Sequence, residues 1–178
     1  MSIPIQPLLS NSLVHIQPLQ ASDFEELYAL ASDPQVWEQH PNKERWKREV
    51  FENFFKGAME SKGAFKITER QTGKAIGSSR YYDFDEADNS ILIGYTFFGK
   101  DYWGKGYNLS VKKLMLDYIF QYVGKVYFHI GAVNVRSQVA ISRLGVTKVA
   151  EQPIAYFGEK DNLNFVYALS KEEWERQQ

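Results

Sequence analysis

The stretch Phe97-Phe98-Gly99-Lys100-Asp101-Tyr102-Trp103-Gly104-Lys105-Gly106-Tyr107-Asn108 runs from an apolar segment through glycines straight into a long helical pattern. Glycine permits positive φ and close approach of a ligand. Successive backbone N–H groups can therefore converge on an anion at the positive end of the helix dipole. Lys105 either adds charge to such a site or points to water. Two well-known phosphate motifs fail here on residue chemistry. Gly99-x-x-x-x-Gly104-Lys105-Gly106 nearly spells a Walker A loop, but Gly106 stands where a Ser/Thr hydroxyl must coordinate magnesium. A dinucleotide fingerprint beginning at Gly104 has Gly106 but then Leu109, where a third glycine belongs. A plain strand-to-helix turn remains the non-functional alternative.

The elements that must position this loop alternate between strand and helix patterns. Val14 to Leu19 reads as a strand, and Ser22-Asp23-Phe24-Glu25 as a capping box opening a helix that turns Phe24, Leu27, Tyr28 and Ala31 inward. Asp33-Pro34 ends it. A second helix carries Trp46, Val50, Phe54, Phe55 and Ala58 at helical spacing, with Gly63 following its end. Ala64 to Arg70, Ala75 to Phe84 and Ser90 to Phe98 form an antiparallel meander. The long helix runs from about Tyr107 to Val123, with Leu114, Met115, Tyr118, Ile119 and Tyr122 on its apolar face and Gly124 as its stop. Val126 to Ile130 is a strand, Val135 to Leu144 a helix closed by Gly145, and Thr147 to Ala150 and Phe165 to Leu169 are the last strands. An antiparallel middle followed by β-α-β-α-β implies a mixed α/β or α+β sheet rather than a doubly wound Rossmann fold.

Composition narrows the chemistry further. The 178 residues suit one domain, 1–178, and no linker or repeat divides them. With 21 Lys+Arg against 22 Asp+Glu, the net charge of −1 excludes bulk-charge binding to nucleic acid or to an acidic membrane. The absence of cysteine removes disulfides, thiolate metal sites and cysteine nucleophiles, and three histidines leave little for a metal centre. No signal peptide or membrane-length apolar run is present, so a soluble cytoplasmic protein is expected.

Trp103-Gly104-Lys105-Gly106-Tyr107 after Ile93-Gly94-Tyr95, followed by Asn134-Val135-Arg136-Ser137 and Leu144-Gly145-Val146, resembles the GCN5-related N-acetyltransferase superfamily, most of all its RimJ/RimL-type branch. The likeness extends from the Val14 strand, through Ser22-Asp23 and Asp33-Pro34-Gln35-Val36-Trp37, to Glu172-Glu173-Trp174. It implies a central, mostly antiparallel twisted sheet with helices on both faces. It also implies acetyl-CoA as cosubstrate, without metal, and a primary amine as acceptor: a protein N-terminal α-amine, an amino acid or a small amine.

In such a reaction the amine attacks the thioester directly, with no covalent enzyme intermediate, and the departing thiolate needs a proton. By the resemblance, Thr96, Phe97 and Phe98 would pair with the pantetheine arm, and Gly104, Lys105, Gly106, Tyr107 and Asn108 would hold the pyrophosphate. Asn134 would contact the coenzyme or order a water, whereas its ordinary role is to close the strand-to-helix turn. Many members carry a tyrosine acid where this chain has Ile141. Ser137 is the remaining hydroxyl of that segment, and the resemblance to RimL-like members, which use a serine there, implies the acid role for it, with a helix N-cap as its ordinary alternative. Where relatives commonly have small-Thr-Glu after the glycines, this chain has Asn108-Leu109-Ser110, which puts acceptor recognition in doubt.

No general base stands out. Asp83, Asp85, Glu86 and Asp88 read as a solvated hairpin, and His129 as a strand-face residue. Glu38 and His40 lie beside Trp37, where the superfamily forms its acceptor pocket, and His40 has the ordinary pKa for proton work. Trp37, Trp46, Tyr81, Tyr82, Tyr156 and Phe157 are the aromatic candidates for that pocket, with core packing as their default role. Aromatic edges would also suit a homodimer. The rival readings are a non-catalytic coenzyme A or acyl-CoA binding module on the same fold, motivated by Ile141 and the missing glutamate, and a nucleotide-binding protein using Lys105.

Overall fold

The computed structural model describes residues 2–178 and contains one eight-stranded sheet. Its strands are β1 (Leu9–Ser10), β2 (Val14–Pro18), β3 (Ala64–Glu69), β4 (Ala75–Asp85), β5 (Ser90–Phe98), β6 (Lys125–Gly131), β7 (Thr147–Ala155) and β8 (Asp161–Ser170). Helices α1 (Phe24–Ala31), α2 (Arg48–Ser61), α3 (Tyr107–Ile119), α4 (Val135–Ser142) and α5 (Lys171–Glu175) complete the chain. The strand order is β1-β2-β3-β4-β5-β6-β8-β7, and every neighbouring pair is antiparallel except β5 and β6. The mixed α/β class and the helix-covered, mostly antiparallel sheet are therefore as the sequence implied. Among the described residues no helix is long and apolar enough to cross a membrane.

The two faces of the sheet bury separate cores, which is why its inner strands are apolar on both sides. On one face Val111, Met115 and Ile119 of α3, with Ile141 of α4 and Trp174 of α5, pack on Phe65, Ile67, Ile91, Ile93 and Val126. On the other, Leu27 and Ala31 of α1 and Phe51, Phe54 and Phe55 of α2 pack on Ala64, Ala75 and Phe97. Phe97 and Phe98 thus go to opposite cores, as the two-residue period of a strand requires. That pins the end of β5 from both sides.

Several local expectations need correction. The capping box is formed not by Ser22 and Glu25 but by Gln20 and Asp23, in the 3-10 turn Ala21–Asp23 that leads into α1: the Asp23 carboxylate accepts from the Gln20 N–H at 2.8 Å, while Glu25 pairs with Arg48. Trp46 lies before α2 rather than in it, and Phe51, one turn on, is the fully buried residue of that helix. Helix α3 stops at Ile119, and turns carry the chain to Gly124, whose N–H donates to Asn89 O at 3.0 Å. Strands β7 and β8 are longer than their apolar runs, because they pair with each other at the edge of the sheet, where β7 is largely exposed. Strand β8 lies between β6 and β7, so α4 connects two strands that are not neighbours. The short β1 and the Ser170-capped α5 were not legible as elements.

Candidate active site

The site begins at a break in the sheet. Strand β5 pairs with β6 only from Ser90 to Leu92, while β6 continues beside β8 as far as Gly131. On its other edge β5 carries a bulge: Ser78 faces Phe97 and Arg80 faces Gly94, so Tyr95 and Thr96 together oppose Ser79. Tyr95 takes a left-handed φ of 52° to accommodate the extra residue. The bulge bends β5 away from β6 and leaves the backbone groups on that side of its C-terminal half without a strand partner. An extended polar ligand can supply the missing hydrogen bonds.

The resulting cleft is a cavity of about 470 Å³ walled by Gly94 to Phe98 on one side and Phe128 to Gly131 on the other. Its first end is formed by the glycine loop, α3 and α4. Gly104 and Gly106 have φ of +71° and +85°, and a Cβ on either would meet nothing within 4 Å. Open space at two left-handed glycines, directly before the N-terminus of a 13-residue helix, is the arrangement an anion needs. Trp103 braces the loop, donating from Nε1 to Phe98 O at 3.0 Å, with the Arg136 guanidinium stacked 3.8 Å from its ring centroid.

Thr96, Phe97, Phe98, Gly104, Gly106, Tyr107, Asn108, Asn134 and Ser137 all line this cleft. Lys105 does not; it is exposed and points to water. The Tyr107 hydroxyl donates to Glu69 on β3, which raises its own pKa and lowers that of the carboxylate, so this residue offers the cleft its main chain. In α4 the N-cap is Asn134, whose Oδ1 accepts from Ser137 N at 3.3 Å. Ser137 is therefore not the cap, and it is a half-buried residue of the cavity lining.

At the far end stand Trp37, His40, Arg45, Tyr95 and Tyr156. Arg45 is 1% exposed and lies amid aromatic rings, 4.8 Å from Phe54, 5.4 Å from Trp37 and 5.5 Å from Tyr156. Glu159, from the turn between β7 and β8, accepts from its Nε at 2.9 Å. Arg45 Nη2, although 2.9 Å from the same carboxylate oxygen, lacks hydrogen-bond geometry to any protein atom, as does Glu159 Oε1. A second buried guanidinium, Arg80, sits 3.7 Å over the Tyr95 ring, and burial lowers its pKa to about 10.

His40 is at this far end but is poorly placed as a base. Burial, and then the Arg45 charge, push its pKa well below the ordinary imidazole value. Its Nδ1 accepts from Asn42 N at 3.0 Å, and its Nε2 lies 3.3 Å from Arg45 Nη1. His129 also lines the cleft, and burial lowers its pKa too. Of the aromatic candidates, Trp37 and Tyr156 reach the cavity. Tyr82 packs edge-on to Tyr95 at 5.0 Å without lining it, and Tyr81 is core, donating to Met115 O at 2.6 Å. Trp46 and Phe157 also lie outside the lining, and the exposed Asp83 to Asp88 run is the end of β4 and the turn that follows it.

Sequence reasoning passed over three charged residues that the structure puts in the wall: Arg45, Arg143 and Lys112. Lys112 was detectable, because it falls in register with Met115, Leu116 and Ile119 on the buried stripe of α3. Arg45 had no such signal; its burial depends on a carboxylate 114 positions away.

Comparison with known proteins agrees with this geometry. Residues 14–147 match the family model described as an acetyltransferase (GNAT) domain. A GCN5-related N-acetyltransferase from Brucella melitensis superposes with a TM-score of 0.82 at 19% identity, over 97% of this chain and 82% of that one. RimJ from Mycobacterium smegmatis, solved in complex with CoA-disulfide, gives 0.71 at 16% identity, over 94% and 87%. Spermidine N-acetyltransferase from Vibrio cholerae, in complex with CoA and spermine, gives 0.69 at 15% identity, over 92% and 99%. These likenesses show a shared fold, while the family model covers most of the chain, cleft included. The chain belongs to the GNAT acetyltransferase family and is an acyltransferase.

Proposed function

We propose that the protein transfers the acetyl group of acetyl-CoA to a primary amine by direct attack. The observation that carries this reading is the parting of β5 from β6 at Leu92, which opens a strand-edged cleft running into the Gly104 and Gly106 loop. Phe97 and Phe98 main-chain groups would pair with the pantetheine arm, and the first amides of α3, at Tyr107 and Asn108, would hold the pyrophosphate. Arg136 and Arg143 line the same cavity from α4 and suit an anionic cosubstrate. Acetyl-CoA supplies the activated acyl carbon; the bulge at Tyr95 and Thr96 orients main-chain donors beside it.

Trp37, His40 and Tyr156 would form the acceptor end. Among the described residues the charged side chains that line the cavity are Arg45, Lys112, Arg136 and Arg143, and the nearby carboxylates, Glu159 on Arg45 and Glu38 on Arg136, stand outside the lining. That balance favours an acceptor carrying one amine, alone or beside an acidic group, over a polyamine. Calorimetric titration with acetyl-CoA, beside ATP plus magnesium, tests the cosubstrate: saturable acetyl-CoA binding without ATP binding is expected, and the reverse overturns the reading. Thiol release across a panel of amines then separates catalysis from mere coenzyme binding.

A further inference from the structure

The cleft wall carries one lysine. Lys112 of α3 is 6% exposed, and its Nζ donates to Thr96 Oγ1 at 2.9 Å and to Asn108 Oδ1 at 3.3 Å. Both partners are neutral, and no carboxylate among the described residues forms an ion pair with it. Thr96 belongs to the β5 bulge, where its hydroxyl also shares a hydrogen bond with Ser79 Oγ at 2.8 Å. An ammonium has three N–H bonds. Two are held by Thr96 and Asn108; the third has no protein acceptor, and the open side is the cavity. A cation enclosed without a counter-charge is expensive to maintain. Burial accordingly lowers the pKa of this amine to about 7, where it can lose and regain a proton easily.

Thioester cleavage leaves a thiolate that must be protonated, and few groups on the wall can do it. The Tyr107 hydroxyl is committed to Glu69, and that of Tyr156 donates to Asn164, with its pKa pushed up to about 12. Tyr95 Oη accepts from Phe157 N at 3.2 Å, at the acceptor end. Ile141 of α4 has no proton to give, and the Ser137 hydroxyl is a far weaker acid than an ammonium. Burial lowers the pKa of both His40 and His129, which leaves them poor proton donors, and a guanidinium does not give up its proton in a protein.

We infer that Lys112 gives its cleft-facing proton to the sulfur of the departing coenzyme A thiol, a catalytic role that rests on the acetyl-transfer reading above. As the C–S bond breaks, its electron pair goes to sulfur and the proton passes from Nζ to sulfur. The products are a free thiol and a neutral Lys112 amine. The proton lost by the acceptor ammonium on forming the amide recharges Lys112 or passes to solvent, so the cycle closes without another reactant.

Two measurements test this. In the first, the Lys112 Cε resonance is followed by NMR against pH in the free protein, with CoA and with desulfo-CoA. CoA should raise the Lys112 titration midpoint and desulfo-CoA should leave it nearer its free value; equal shifts from both would mean that Nζ does not face the sulfur. In the second, thiol release from acetyl-CoA is followed from about pH 6 to about pH 9 with hydroxylamine as a small, already neutral nucleophile. The wild-type rate should fall above about pH 7, and Lys112→Met should be about 100-fold slower with that limb gone. Lys112→Arg, which keeps the charge but holds its proton, should be similarly slow. A Lys112→Met variant that binds acetyl-CoA and keeps the wild-type profile overturns the role. Failure of the wild type to bind acetyl-CoA, read by calorimetry, removes the cosubstrate reading itself.

Discussion

Arg45 and Glu159, 114 positions apart, form a buried ion pair at the Trp37 and Tyr156 end of the cleft, with side chains 2% and 8% exposed and Nε 2.9 Å from Oε2. It ties the turn between β7 and β8 to the segment that precedes α2. Glu159→Gln leaves the guanidinium enclosed without its counter-charge and should destabilise the fold by about 3 to 5 kcal/mol. Urea denaturation of the variant against wild type measures it. Replacing both residues, as Arg45→Met with Glu159→Gln, should recover part of that loss, because the unpaired charge is then gone.

Gly104→Asp and Gly106→Asp should abolish acetyl-CoA binding while leaving the protein folded. The new side chain meets no protein atom within 4 Å at either position, so it enters the space assigned to the pyrophosphate and brings a negative charge with it. The left-handed φ costs about 1 to 2 kcal/mol. Calorimetry on variants with native circular dichroism provides the check, and unchanged affinity would remove the loop from the site.

Gly77→Ala tests the bulge from the opposite strand. A Cβ on Gly77 would lie 2.2 Å from the Phe97 carbonyl oxygen, a backbone atom that cannot swing aside. β4 and β5 must separate next to the Tyr95 and Thr96 bulge, which should cost at least about 1 to 3 kcal/mol in stability. Acetyl-CoA affinity should fall with it, since the edge of β5 is the proposed partner of the cosubstrate.

Lys112 also predicts how stability depends on pH. Its pKa in the folded protein, about 7, is below the unfolded lysine value of about 10.4. Between the two the unfolded chain binds more protons, so this group makes stability rise with pH through that window and costs most below it. Lys112→Met should raise the thermal midpoint at neutral pH and flatten that rise. Melting curves for both proteins at a series of pH values decide it; parallel curves would show that the amine keeps its charge when folded.

An amine panel tests the charge balance of the cleft. With Arg45, Lys112, Arg136 and Arg143 in the wall and no carboxylate lining it among the described residues, spermidine should be a poorer acceptor than a mono-amine or an amino acid, by at least about tenfold in kcat/KM. Faster turnover of spermidine would overturn the assignment of the acceptor end.

The sequence by itself determined the parts whose signals are local. The meander from Ala64 to Phe98 follows from alternation and turn residues, and the glycine loop from the φ values that only glycine adopts cheaply. Asn134 at the start of α4 was readable as a turn-closing residue, and its capping bond is formed within three residues. The order of these motifs along the chain was enough to expose the family.

Only the tertiary structure decided what depends on pairing at a distance. The bulge at Tyr95 and Thr96 is a matter of register between β4 and β5, and no window of β5 alone reports that register. The placement of β8 between β6 and β7 is likewise a choice among strand edges, which hydrophobic pattern does not distinguish. His40 keeps an ordinary imidazole pKa on paper, yet burial and Arg45 hold it neutral. Spacing alone puts Lys112 on the buried stripe of α3, but its lowered pKa arises only when α3 packs on the sheet and closes it in, because a pKa is a property of surroundings rather than of residue type.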